Sequence, residues 1–140
     1  MLPLTLNILL QLAAANPSGQ DYATAYKQTM ETGRPLVVLI GADWCPGCRQ
    51  MKQSAIPEVE RQGGLRKVEY AYINSDVQSK LAGQLMQGGS IPQLILFRKT
   101  ESGWRRHQLT GAQSPGAIQQ FLSEGESAEV AETSHRQKMD

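Results

Sequence analysis

Val37-Val38-Leu39-Ile40-Gly41-Ala42-Asp43-Trp44-Cys45-Pro46-Gly47-Cys48 is the stretch from which the rest of the chain can be read. Its first half lies in a run, Leu36 to Ile40, that is apolar without a break and is bounded by Pro35 and Gly41. A half-exposed strand would alternate; an unbroken, β-branched run of this length predicts a strand buried on both faces. The second half reads as a helix start, with Cys45 at the N-cap and Pro46 at the first helical position, where a missing N–H costs nothing. Gly47 and Cys48 then point unfilled backbone N–H groups toward the Cys45 sulfur. Those donors and the positive end of the helix dipole favour a thiolate at position 45.

Cys45 and Cys48 are the only cysteines in 140 residues. Two cysteines scattered at random would fall three apart roughly once in 70 such chains. A fold stapled by disulfides needs several pairs spread along the chain, so that class is excluded. At i and i+3 in a first helical turn, two sulfurs come within bonding reach. Cys45 can attack a disulfide and Cys48 can then displace it from the mixed disulfide. Trp44 is expected to form an apolar lip beside the nucleophile. Half of a zinc site is the competing reading, but a structural zinc takes four ligands. The other soft donors, His107 and His135, do not come in ligand spacing. No metal and no cofactor is therefore expected. Two inert buried cysteines fit poorly with a helix start bearing Pro and Gly.

Composition sets the frame. The chain is 40% apolar and 19% charged, which suits one soluble globular domain. Its net charge of +1, without a run of one sign, gives no electrostatic hold on nucleic acid. Arg105, Arg106 and His107 form a short basic run, read as the solvent face of a strand. Residues 1–15 are largely apolar but too short to span a bilayer. Ala13-Ala14-Ala15 offers a small-x-small cleavage pattern, although no Lys or Arg precedes the apolar stretch. They are read as a signal segment, which places the protein outside the cytoplasm, in the periplasm; the alternative is an N-terminal strand or helix of a cytoplasmic protein. Residues 16–123 form the domain, and the polar stretch 124–140 is expected to be a disordered tail.

Within the domain, Asp21 to Thr32 reads as a helix with Tyr22, Ala25, Tyr26 and Thr29 on one face and Gly33 at its C-terminal cap. The helix after the cysteines carries Met51 and Ala55 inward and should stop or kink at Ile56, because Pro57 follows. Val68 to Ile73 is the next strand. Asn74-Ser75-Asp76 then caps a helix whose buried stripe is Val77, Leu81, Leu85 and Met86. Leu94 to Phe97 is a further strand, and Glu101-Ser102-Gly103 turns it into an edge strand from Trp104 to Leu109. A last helix runs from Ser114 to Ser123, with Pro115 in its first turn. Strand–helix–strand order implies parallel pairing, and the last two strands form an antiparallel hairpin. The expected fold is α/β, a mixed sheet of about four strands with helices on both faces.

Two marks in this order resemble the thioredoxin superfamily. Val37 to Cys48 is similar to that family's strand, W-C-x-x-C and helix start; Gly89-Ser90-Ile91-Pro92-Gln93-Leu94-Ile95-Leu96-Phe97 is similar to its Ile-Pro step into a strand. The likeness runs from about Gln20 to Leu122. The Ala-Asp-Trp-Cys wording resembles thioredoxin-like domains that relay electrons outside the cytoplasm, among them the C-terminal domain of the transmembrane thiol–disulfide interchange protein. The resemblance implies a cis bond before Pro92, which sits against the cysteines and frees the Ile91 backbone to pair with an extended substrate. Gly111 resembles the glycine that follows the last strand, or is an ordinary turn glycine. Two departures stand out. The positions of a buried acid and its lysine partner are occupied by Leu39 and Tyr72, which leaves the base for Cys48 unidentified, with Asp43 a possible substitute. The pair between the cysteines is Pro-Gly, where Gly-Pro is usual, so reductase and oxidase directions both stay open.

The expected activity is exchange of a dithiol/disulfide pair with protein substrates by a monomer that spans no membrane and is served by an upstream electron donor or acceptor. Cys45 and Cys48 carry the chemistry; Trp44, Pro46, Gly47, Ile91 and Pro92 shape the site. The alternatives are a peptide-binding module with little turnover, and a metal or iron–sulfur carrier bridging two chains through the same cysteines.

Overall fold

The structure, a computed structural model, describes residues 20–124. The expectations for the N-terminal apolar segment and for the polar tail fall outside these residues, save for the tail's first residue, Glu124.

The apolar run forms β1 (Leu36–Gly41), and every one of its residues is buried. It lies inside a four-stranded sheet of order β2-β1-β3-β4, with β2 (Glu69–Asn74), β3 (Gln93–Thr100) and β4 (Gly103–Thr110). The pleat sorts its side chains onto two cores. Val37 and Leu39 pack with Met51, Val59, Leu96 and Ile118; Leu36, Val38 and Ile40 pack with Ala25, Ala71, Ile73 and Ile95. Full burial of each such side chain contributes about 1.5–3 kcal/mol relative to exposure, which is what holds this strand at the centre.

α1 (Tyr22–Thr32) starts where the Asp21 carboxylate accepts the Thr24 N–H at 2.9 Å, and stops at Gly33, whose φ of 75° suits a residue without Cβ. After β1 and a short turn, α2 (Pro46–Gln50), a π-helical turn (Met51–Ala55) and α3 (Ile56–Arg61) run on from one another without a break. α4 (Ser79–Leu85) and a final helix, α5, over 115–124 complete the set. The core groupings place the π turn, α3 and α5 on one face of the sheet and α1 and α4 on the other. No helix among the described residues is long and apolar enough to cross a membrane.

Four expectations need correction or refinement. β1 and β2 are parallel, but β3 runs antiparallel to β1, so β2-α4-β3 is not a parallel crossover unit. α4 has seven residues and spans only about 10 Å, so the chain re-enters the sheet at the end it left. Asn74-Ser75-Asp76 caps no helix: the Asn74 side chain accepts the Asp76 N–H at 2.9 Å in a turn, α4 begins at Ser79, and Val77, before it, is 78% exposed. Of the two outcomes expected at Ile56, a stop or a kink, Pro57 does not bring the stop: the helix changes its winding there, the π turn ending at Ala55 and α3 beginning at Ile56. The Ile56 N–H reaches back to the Met51 carbonyl, one residue further than in an α-helix, and this wider turn accommodates the proline. Finally, the basic run is not uniformly solvated: Arg106 is half-buried and donates to the Leu85 carbonyl at 2.8 Å, while Arg105 and His107 are exposed.

Candidate redox site

β1 delivers the chain to the end of the sheet, and Ala42-Asp43-Trp44 turns it into α2. Cys45 is the N-cap residue, in an extended conformation, and Pro46 opens the helix. The Cys45 sulfur accepts the Cys48 N–H at 3.3 Å and lies 4.0 Å from the Ile91 carbonyl oxygen, toward which its thiol points. Cys45 keeps 7% of its surface and Cys48 only 1%. Both are free thiols. Around them pack Ala42 and the half-buried Ile91.

The two cysteines differ chemically. Burial, and then the hydrogen bond with Cys45, push the Cys48 thiol up from 9.0 to about 11. Cys48 is therefore a neutral thiol at rest, set one helical turn behind the less deeply buried Cys45.

The Ile91–Pro92 bond is cis. Gly47 lies where the start of α2 comes close to Pro92 and Ala112, 3.5 Å and 3.4 Å from the position a Cβ would take. Gly111, at φ 92°, donates its N–H to the Pro92 carbonyl at 2.9 Å and so ties the end of β4 to the same corner. Trp44 is 67% exposed, and its indole N–H donates to Asp76 at 2.9 Å. The sulfur's apolar lip is thus supplied by Ala42 and Ile91, while Trp44 stands out in water, moored to the turn after β2.

A model of the thioredoxin-like domain matches residues 22–126, three quarters of the chain. The chain belongs to this thioredoxin-like family. Solved structures agree on the fold. A thioredoxin from Thermus thermophilus is 19% identical, with a TM-score of 0.63 over 76% of this chain and 86% of its own. Trxlp from Edwardsiella tarda is 27% identical, with a TM-score of 0.58 over 74% and 95%. A Trichomonas vaginalis thioredoxin is 18% identical, with a TM-score of 0.61 over 79% and 98%.

In this thioredoxin-like domain several residues matter that single-sequence reading passed over. Gly41 faces Cys48 so closely that a Cβ would stand 2.9 Å from its sulfur. Gln93 is fully buried; its side-chain amide donates to the carbonyls of Gln87, Gly88 and Ser90 at 3.0–3.1 Å and accepts the Gln87 N–H at 3.3 Å. It thereby holds the loop that presents Ile91 and Pro92. Beside Cys48 opens a cavity of about 130 Å³ lined by Ala42, Asp43, Cys48, Arg49, Lys52 and Tyr72. Leu39 is wholly buried in the core, and the Lys52 ammonium lies 4.1 Å over the Tyr72 ring. The signal for Gly41 was available, as a glycine closing an apolar strand. Lys52 and Gln93 carried none, because both act across elements.

Proposed function

We propose that this protein is a thiol–disulfide oxidoreductase that exchanges electrons with protein disulfides through Cys45 and Cys48. The asymmetry of the pair carries this reading: the Cys45 sulfur, buried but for 7% of the residue's surface, receives a helix-start N–H, and a neutral thiol at 1% exposure lies one turn behind it. An extended substrate segment lies along the Ile91 backbone, with its disulfide against Cys45. The Cys45 thiolate attacks one substrate sulfur, forming a mixed disulfide and expelling the other as a thiolate. Cys48, deprotonated, attacks the Cys45 sulfur. The Cys45–Cys48 disulfide forms, the substrate leaves as a dithiol, and two electrons have passed from protein to substrate; the reverse sequence oxidises a substrate.

Insulin reduction driven by dithiothreitol tests the reading. Turnover is expected in the wild type, none in Cys45→Ser, and a covalent complex with substrate should accumulate in Cys48→Ser. Peptide binding without any turnover in the wild type would instead establish a docking module.

A further inference from the structure

We infer that Lys52 is a positioning residue for the second half of the exchange: its ammonium, seated on the Tyr72 ring, keeps the cavity beside Cys48 positive and favours the Cys48 thiolate as it attacks. The inference rests on the redox reading above and concerns only its resolving step.

Resolution requires Cys48 to ionise against its burial. The side chain is 1% exposed, and burial is the largest cause of its raised value of about 11. At neutrality such a thiol is ionised in only about one molecule in ten thousand. Once Cys45 is bonded to substrate, its own charge no longer opposes ionisation, but burial still does. Backbone hydrogen bonds at Ala42 and Cys48 offset part of that cost, and a nearby positive charge is a further way to favour the anion.

The ionisable groups near Cys48 differ in what they can contribute. Cys45, at the head of α2, is the sulfur under attack. Asp43, in the loop, lines the same cavity; a carboxylate opposes a standing thiolate but can take the thiol's proton. Arg49, on α2, lines the same cavity and donates to the Asp43 carbonyl at 2.9 Å; it keeps its charge, which adds to that of Lys52. Asp76, after β2, holds the Trp44 indole. Tyr72, on β2, is held neutral, first by burial and then by the charges of Asp43 and the two cysteines. Lys52 comes from the π-helical turn, and its ammonium lies 4.1 Å above the ring that walls the cavity. A lysine on a surface helix ordinarily samples many rotamers in water; the ring fixes this one beside Cys48.

The step balances with water as proton carrier, and a cavity of this size has room for it. The Cys48 S–H passes its proton to water. The resulting thiolate forms a bond to the Cys45 sulfur, the substrate sulfur leaves with the bonding electrons, and it takes up a proton from solvent. No outside oxidant or reductant enters.

The reduced full-length chain, mixed with excess 4,4′-dithiodipyridine in a stopped-flow spectrometer, should release thiopyridone in two phases. The first depends on reagent concentration and reports attack by Cys45; the second does not, and reports closure by Cys48. Lys52→Gln should slow the second phase by about fivefold to tenfold at pH 7 and displace its pH profile upward, with Lys52→Arg restoring it. Added salt should shrink the difference. Lys52→Met, which keeps the aliphatic stem, repeats the measurement should Lys52→Gln prove poorly folded. Second-phase profiles that coincide in wild type, Lys52→Gln and Lys52→Met would overturn the inference. Tyr72→Phe keeps the ring and removes the hydroxyl; a displaced profile there, with none in the lysine variants, would move the role to the phenol. Absence of a second phase in the wild type would instead overturn the redox reading itself.

Discussion

At position 41 a methyl group would stand 2.8 Å from the Cys48 Cβ and 2.9 Å from its sulfur, well inside van der Waals contact. Neither side has room to yield: Gly41 lies in the buried central strand, and Cys48 sits in the first turn of α2. Gly41→Ala should therefore destabilise the reduced protein by about 1–3 kcal/mol, the usual range for overfilling a packed interior. Urea denaturation measures it, and a midpoint equal to that of the wild type would show that Cys48 moves freely. At this scale the sequence was most legible where chemistry is local. Cys45 as N-cap and Pro46 at the first helical position follow from residue types and spacing alone. Trp44 was not, because its ring is placed by Asp76, which lies 32 positions away.

Among the elements, the connection from β2 to β3 is the informative one. Its loop presents Ile91 and Pro92, and the buried Gln93 amide anchors it, reinforced by Gln108, whose amide reaches the Gln87 carbonyl at 3.0 Å. Replacing Gln93 with Leu preserves bulk but strands the Gly88 and Ser90 carbonyls. A loss of about 1–3 kcal/mol is expected. Amide exchange across 86–92 should quicken, and KM for a protein disulfide should rise more than kcat falls. Unchanged exchange in that loop would show that Gln93 is a passive core residue. In the sequence Gln93 is merely a polar letter opening an apolar strand, and its worth lies in bonds to backbone that only the folded loop brings near. The direction of β3 was hidden for a similar reason. A helical pattern between two strands signals a crossover, but whether it traverses the sheet depends on its length, and the early cap at Asn74 made α4 seem longer than it is.

For the molecule as a whole, the sheet with its two cores was readable from one buried run and the order of elements, while the polar ties across it were not. The buried thiol also links the site to global stability. Cys48 titrates at about 11 in the folded protein and at an ordinary 9.0 once unfolded. The unfolded chain therefore releases this proton first as pH rises. Stability owed to the neutral thiol is complete below pH 9 and drains away as pH climbs to 11. Tyr72, also raised by burial, adds to the trend. Reduced wild-type protein should thus lose stability more steeply over that interval than Cys48→Ala, as measured by urea unfolding at each pH. Parallel curves for the two would show that Cys48 ionises as readily inside as out.

Trp44 adjoins Cys45 in the chain and is held by Asp76 in a largely exposed setting. Disulfides quench nearby excited indoles by accepting an electron, whereas thiols do so far less. The second tryptophan, Trp104, lies at the start of β4, at the hairpin turn. Closure of the cysteine pair, as proposed, should therefore dim the Trp44 emission, which the ultraviolet fluorescence of the oxidised and reduced chain would measure.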